Sequence, residues 1–129
     1  MVVDTSAIVC ILLLESEAEQ FARALTGASN LVISAPTWVE ASMVITARLG
    51  QAGHSLLTEL LSRSRIVTVP CDDDLARRAF DAWLQYGRGR HPAALNFGDC
   101  FSYALAKRRS EPLLYKGNDF AKTDIAAAG

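Results

Sequence analysis

Short apolar runs alternate along this chain with stretches of helical period. Val2-Val3 is a β-branched pair that stops at Asp4, the pattern of a buried strand whose end emerges at that acid. Thr5 or Ser6 then caps a helix through Ala7–Leu14, and a second helix covers Glu17 to Leu25, ending near Gly27. Leu31-Val32-Ile33 reads as a buried strand. Ser34 and Pro36 open a helix through Leu49, with the proline where a missing N–H costs nothing; Gly50 and Gly53 end it. Leu56, Leu57, Leu60 and Leu61 recur at helical spacing. Ile66-Val67-Thr68-Val69 is a third strand closed by Pro70. Asp72, Asp73 and Asp74 begin a helix to Tyr86, where negative charge favours the macrodipole. Gly87 to Asn96 is a loop, Asp99 begins a helix ending in Lys107-Arg108-Arg109, and Pro112 precedes a last long strand, Leu113-Leu114-Tyr115.

The strands are apolar throughout rather than alternating, and helical segments separate them. That predicts an α/β fold with a parallel sheet covered by helices on both faces. Ligands of such sheets sit beyond the carboxyl ends of the strands. Asp4 follows the first strand at that end and Asp119 follows the last. Glu40 and Asp99 fall in the first turns of helices that start there. Four acids from four distant segments are therefore expected on one rim.

Length and composition narrow the classes. A chain of 129 residues, half of them hydrophobic and about a fifth charged, is expected to form one domain over 1–129. The net charge of −1 excludes a nucleic-acid binder by bulk electrostatics. A polyanion would have to be met by a local basic patch or through bound metal. Cys10, Cys71 and Cys100 are odd in number and lack Cys-x-x-Cys spacing, which argues against zinc and a disulfide framework. The apolar run Ala7–Leu14 is far shorter than the ~20 residues a bilayer span needs. With free thiols and no room for a signal peptide before Asp4, the expected location is cytoplasmic.

Clustered carboxylates repel, and they persist only if some hold protons or a cation lies among them. Mg²⁺ and Mn²⁺ prefer oxygen ligands. Held by carboxylates, such an ion can bind phosphate oxygens, activate water and stabilise a leaving oxygen, as phosphodiester hydrolysis requires. Each acid also has a plainer reading. Asp4 could cap the following helix, Glu40 could be an exposed first-turn glutamate, Asp99 an N-cap, and Asp119 a turn residue after Gly117-Asn118. Asp124 is a possible substitute for Asp119. The histidines, His54 and His91, are expected in loops and form no competing metal set.

Other charged and aromatic groups divide similarly. Arg88, Arg90 and His91 are either a solvated loop or a phosphate-contacting edge of the site. Lys107, Arg108 and Arg109 are read as dipole-matching, Asp72 to Asp74 as a solvated helix start, and Trp38, Trp83 and Tyr103 as core.

Four segments carry a resemblance over nearly the whole chain: Val2-Val3-Asp4-Thr5-Ser6-Ala7, Val39-Glu40-Ala41, Asn96-Phe97-Gly98-Asp99-Cys100, and Leu113 to Phe120 followed by Thr123-Asp124-Ile125. In order and spacing the chain resembles PIN-domain proteins, specifically VapC-type toxins of bacterial toxin–antitoxin pairs. The resemblance implies a three-layer α/β/α sandwich with a mostly parallel central sheet. It also implies Mg²⁺-dependent endoribonuclease activity, with Mn²⁺ able to substitute, an RNA substrate, a homodimer and a cognate VapB-type antitoxin. By match, Asp4, Glu40, Asp99 and Asp119 take the acidic positions, Asp4 and Asp99 hold the metal, and Ser6 supplies a hydroxyl. One departure is Lys116-Gly117-Asn118 before Asp119, where many relatives carry a small hydroxyl residue. The alternatives are a PIN-shaped module that binds nucleic acid or a partner without turnover, and a metal-dependent phosphatase. A dehalogenase-like phosphatase would want a second Asp at position 6, which is serine here.

Overall fold

The computed structural model describes residues 1–129. Four strands, β1 (Val2–Val3), β2 (Val32–Ser34), β3 (Val67–Val69) and β4 (Leu113–Leu114), pair all-parallel in the order β3-β2-β1-β4. Five helices connect them: α1 (Thr5–Leu12), α2 (Ala18–Gly27), α3 (Ala35–Arg63), α4 (Asp73–Tyr86) and α5 (Phe97–Arg109). A short 3-10 turn, Phe120–Lys122, follows β4.

Why helices must cover both faces follows from the register. Val2 pairs with Val32 and Leu113, and Val3 with Leu114. Successive side chains of a strand point to opposite faces. Val2, Val32 and Leu113 thus enter one core with α4 and α5, around Leu75, Tyr86, Tyr103 and Leu105. Val3, Ile33 and Leu114 enter the other, with Ile8, Phe21, Ala41 and Leu57 of α1, α2 and α3. The result is the three-layer α/β/α sandwich. Leu105, Leu113 and Leu114 are fully buried, each contributing roughly 1.5–3 kcal/mol of apolar transfer.

Strand order reverses at β1, with β2 on one side and β4 on the other. Ligand crevices in open α/β sheets form at such switch points. Asp4 lies there, its N–H donating to the Leu114 carbonyl at 2.9 Å.

Several expectations need correction. Asp4, rather than Thr5 or Ser6, caps α1. Gly50 (φ 68°) breaks α3 as expected, but Gly53 does not: it is buried in the second helical segment, which follows the kink and continues to Arg63. β3 is an outer strand with a single neighbour, so Val67 is largely exposed instead of buried. Trp38 and Trp83 are partly exposed, and of the aromatics Trp38, Trp83 and Tyr103 only the tyrosine is core. Lys107, Arg108 and Arg109 do more than match a dipole: they pair with Asp124, with Asp72 and Asp74, and with Glu111. The Arg108 pairs fasten the end of α5 to the start of α4. All three cysteines are free. No helix is long and apolar enough to cross a membrane.

Candidate functional site

Asp4 is the most buried acid, about 2% exposed. Its Oδ2 accepts from Ser6 N at 3.0 Å and Ser6 Oγ at 2.7 Å, and its Oδ1 accepts from Ser102 Oγ at 2.5 Å. The Ser6 hydroxyl in turn accepts from Lys116 N at 3.0 Å, tying the end of β1 to the segment after β4. Ser6 thus orients the acid.

Glu40 is the sixth residue of α3 and so sits in its second turn rather than its first. It is half-buried and packs against Gly98 near the start of α5. Burial pushes its carboxyl upward, the Thr5 hydroxyl opposes this, and the charge of Asp4 adds to it. Thr5 Oγ1 is itself buried and lacks a well-formed hydrogen bond.

Asp99 is the third residue of α5. It forms a capping box with Asn96: Asp99 N donates to Asn96 Oδ1 at 2.9 Å, and Asn96 N donates to Asp99 Oδ2 at 3.0 Å. The capping reading is therefore correct, but it does not account for the electrostatics. The Asp99 carboxyl is pushed up to about 7, chiefly by burial. The Asn96 N–H opposes this, and the charges of Asp4, Glu40 and Asp119 raise it further. The structure thus gathers these four acids around α5's first turn, with Asp119 exposed at the outer edge. Asp124 is engaged elsewhere, accepting from Tyr103 Oη at 2.5 Å and Lys107 Nζ at 3.1 Å. Those donors lower its carboxyl's pKa.

Of the chain's fourteen side-chain acids, only Asp4, Glu40, Asp81, Asp99 and Asp119 lack a cationic partner. Four of these five are the gathered acids. Buried carboxylates without a countercharge are costly, and this donor set is all oxygen, the chemistry that suits Mg²⁺ or Mn²⁺. No three acidic, His or Cys side chains close into a ready-made cage. Ser6 and Ser102 hold Asp4 and Asn96 holds Asp99, and each carboxylate keeps acceptor capacity for an ion.

The basic loop is less uniform than its sequence suggests. Arg90 folds back, donating to the Leu84 carbonyl at 3.0 Å with its guanidinium 4.9 Å from the Trp83 ring centre. His91 Nδ1 accepts from Ala93 N and its ring meets Tyr86 edge-on. Arg88 alone keeps a cation without a partner, at the rim of an apolar cavity of about 530 Å³ between α4 and α5. Phe80, Trp83, Phe97 and Phe101 line that cavity, and none of the four acids does.

Sequence reasoning misses Ser34, Thr37, Ser102 and Gly98. A signal is present: Thr37 precedes Glu40 by three residues and Ser102 follows Asp99 by three, the spacing that puts side chains on one helix face.

The PIN domain family model matches residues 1–126. Ribonuclease VapC30 of Mycobacterium tuberculosis is 45% identical over 126 residues, covering 98% of this chain and 96% of that protein. Ribonuclease VapC of Mycolicibacterium smegmatis is 45% identical over 127 residues, covering 98% of each. Among solved structures, Mycobacterium tuberculosis VapC20, described as a sarcin-ricin loop cleaving toxin, aligns with a TM-score of 0.79 at 16% identity, covering 97% of this chain and 95% of that one. A toxin-antitoxin complex from Klebsiella pneumoniae aligns at 0.72 and 19%, covering 95% and 92%. Those two likenesses bear on the fold, and the sequence matches on descent: the chain belongs to the PIN-domain family, in its VapC group.

Proposed function

We propose that this protein is a divalent-metal-dependent endoribonuclease, the toxin of a toxin–antitoxin pair. The observation that carries the reading is the set of four acids without cationic partners at the switch point of the sheet, in a chain 45% identical to proteins named ribonucleases. Asp4 and Asp99 would hold Mg²⁺, with Mn²⁺ able to replace it, and Glu40 and Asp119 would complete the acidic rim. Once bound, the ion supplies the positive charge and Lewis acidity that phosphodiester hydrolysis needs.

The chain's own groups supply position. Ser6 and Ser102 fix Asp4. Gly98 lets the Glu40 carboxylate reach the N-terminal end of α5, where it orients the attacking water. His54 packs edge-on to Trp38 and His91 is tied to Ala93, which leaves proton handling to carboxylates. Arg88, the unpaired cation beside Asn96, contacts an RNA phosphate flanking the cut.

The same reading assigns two protein partners in the cytoplasm. A VapB-type antitoxin lays an apolar helix along α1 and the second half of α3, where Leu14 and Leu56 are exposed. A second copy of the chain covers the exposed aromatic face of Phe80, Trp83 and Phe97. Inducing the chain alone should arrest growth and yield discrete RNA fragments, and co-expressing the antitoxin should restore growth. Unimpaired growth with intact RNA at high expression would overturn the proposal.

A further inference from the structure

Behind Asp4 lies a row of three buried hydroxyls, Ser34, Thr37 and Ser102, each no more than 1% exposed. Ser34 Oγ and Thr37 Oγ1 are 2.9 Å apart, Thr37 Oγ1 and Ser102 Oγ are 3.3 Å apart, and Ser102 Oγ reaches Asp4 Oδ1 at 2.5 Å. A hydroxyl has one proton and a carboxylate only accepts, so the direction of every bond is forced. Ser102 spends its proton on Asp4. Thr37 must then donate to Ser102, and Ser34 to Thr37. Ser34 Oγ meanwhile accepts from Thr37 N at 3.1 Å, which fixes the far end.

We infer that Ser102, backed by Thr37 and Ser34, is the positioning residue that aims Asp4 at the metal site. The inference rests on the proposed function. The row joins the elements that carry the acids: Ser34 ends β2, Thr37 shares α3 with Glu40, and Ser102 shares α5 with Asp99. It therefore sets the spacing among three acids as well as the rotamer of one. Aligned hydrogen bonds also polarise one another. A carboxylate offers about four acceptor sites; Ser6 takes two on Oδ2 and Ser102 takes one on Oδ1. The acceptor site left for a ligand is thus on Oδ1, beside the serine that fixes its direction.

The test is Mn²⁺ affinity, read from the electron paramagnetic resonance of free Mn²⁺ on full-length protein stripped with EDTA. Ser102→Ala should weaken binding about tenfold, the effect of losing a hydrogen bond that orients a metal ligand. Ser102→Thr, which keeps the hydroxyl, should recover much of it. Thr37→Val preserves shape and leaves Ser102 its bond to Asp4, so it should fall between wild type and Ser102→Ala. It also carries the test if Ser102→Ala does not fold. Asp4→Asn serves as the control. If wild type binds Mn²⁺, Asp4→Asn does not, and both Ser102→Ala and Thr37→Val bind within about twofold of wild type, the positioning role is wrong while the metal site stands. If wild type binds no Mn²⁺, the functional reading fails and this inference with it.

Discussion

Gly98 and the Glu40 carboxyl group occupy almost the same space: a Cβ at position 98 would lie 2.6 Å from Glu40 Cδ and closer still to Oε2. The obstacle is the tip of a flexible side chain, so a larger residue would displace the carboxylate and leave the backbone in place. Alanine also gains up to about 1 kcal/mol of helix propensity over glycine. Gly98→Ala should therefore keep or raise the melting temperature while lowering RNA cleavage about tenfold or more, a shift in a catalytic group being costly at even 1 Å. Thermal melts and initial rates on one preparation check this. A fully active Gly98→Ala would show that Glu40 need not approach α5.

Asp99 gives a pH signature. Its carboxyl is raised from 3.8 to about 7 in the folded, metal-free protein. The native state then binds this proton more tightly than the unfolded chain does, so stability falls as pH rises from about 4 to about 7. Glu40 is shifted in the same direction. In EDTA, wild type should melt lower at pH 8 than at pH 5. Asp99→Asn can keep the capping bond to Asn96 N and should flatten that slope, melting at or above wild type at pH 8. Added Mg²⁺ should raise wild type more than the variant. A variant that melts well below wild type in EDTA and responds equally to Mg²⁺ would contradict the site.

Asp119 and Asp124 should separate cleanly. Asp124→Ala leaves the buried Tyr103 hydroxyl without its acceptor, a loss of about 1–3 kcal/mol, with the metal response intact. Asp119 has no ion pair and is exposed, so Asp119→Asn should leave the melting temperature unchanged and reduce cleavage. Denaturant melts and cleavage rates for both variants decide which acid completes the site; the opposite pattern would exchange their roles.

Arg88 and Arg90 make a second pair of contrasts. Arg90 is committed to Trp83 and Leu84, whereas Arg88 has no partner in the chain. Arg88→Ala should weaken RNA binding and reduce the slope of log affinity against log salt by about 0.7, the value for one contact to a single strand. Arg90→Ala should chiefly lower stability. Equal salt slopes for wild type and Arg88→Ala would remove Arg88 from the interface.

Much of this architecture is legible in the amino-acid sequence. Apolar strands separated by helical periods specify the parallel sheet, and an acid at the end of Val2-Val3 marks the place where its strand order reverses. What escapes the sequence are relationships between distant segments. Ser102 is an ordinary helix residue until Asp4, 98 positions away, takes its proton. Gly98 reads as a weak helix former until Glu40 is found against it. Asp99 is ambiguous because a cap and a crowded carboxylate use the same residue type at the same place, and the structure gives it both roles. Gly53 misleads because glycine is a weak helix former, but here it lies inside the second segment of α3, where a Cβ would meet Leu49 and Ile45.

In the proposed function, carboxylates at this edge hold a divalent ion for RNA hydrolysis. Cleavage of a fluorogenic RNA by EDTA-stripped protein, titrated with Mg²⁺ and then Mn²⁺, tests it directly when wild type and Asp4→Asn are compared. Cleavage should be absent without metal and saturably activated by it, and Asp4→Asn should lose about 10²-fold or more, the scale of one strong electrostatic contact. Undiminished cleavage by wild type in EDTA, or by Asp4→Asn at saturating metal, would contradict the proposed function.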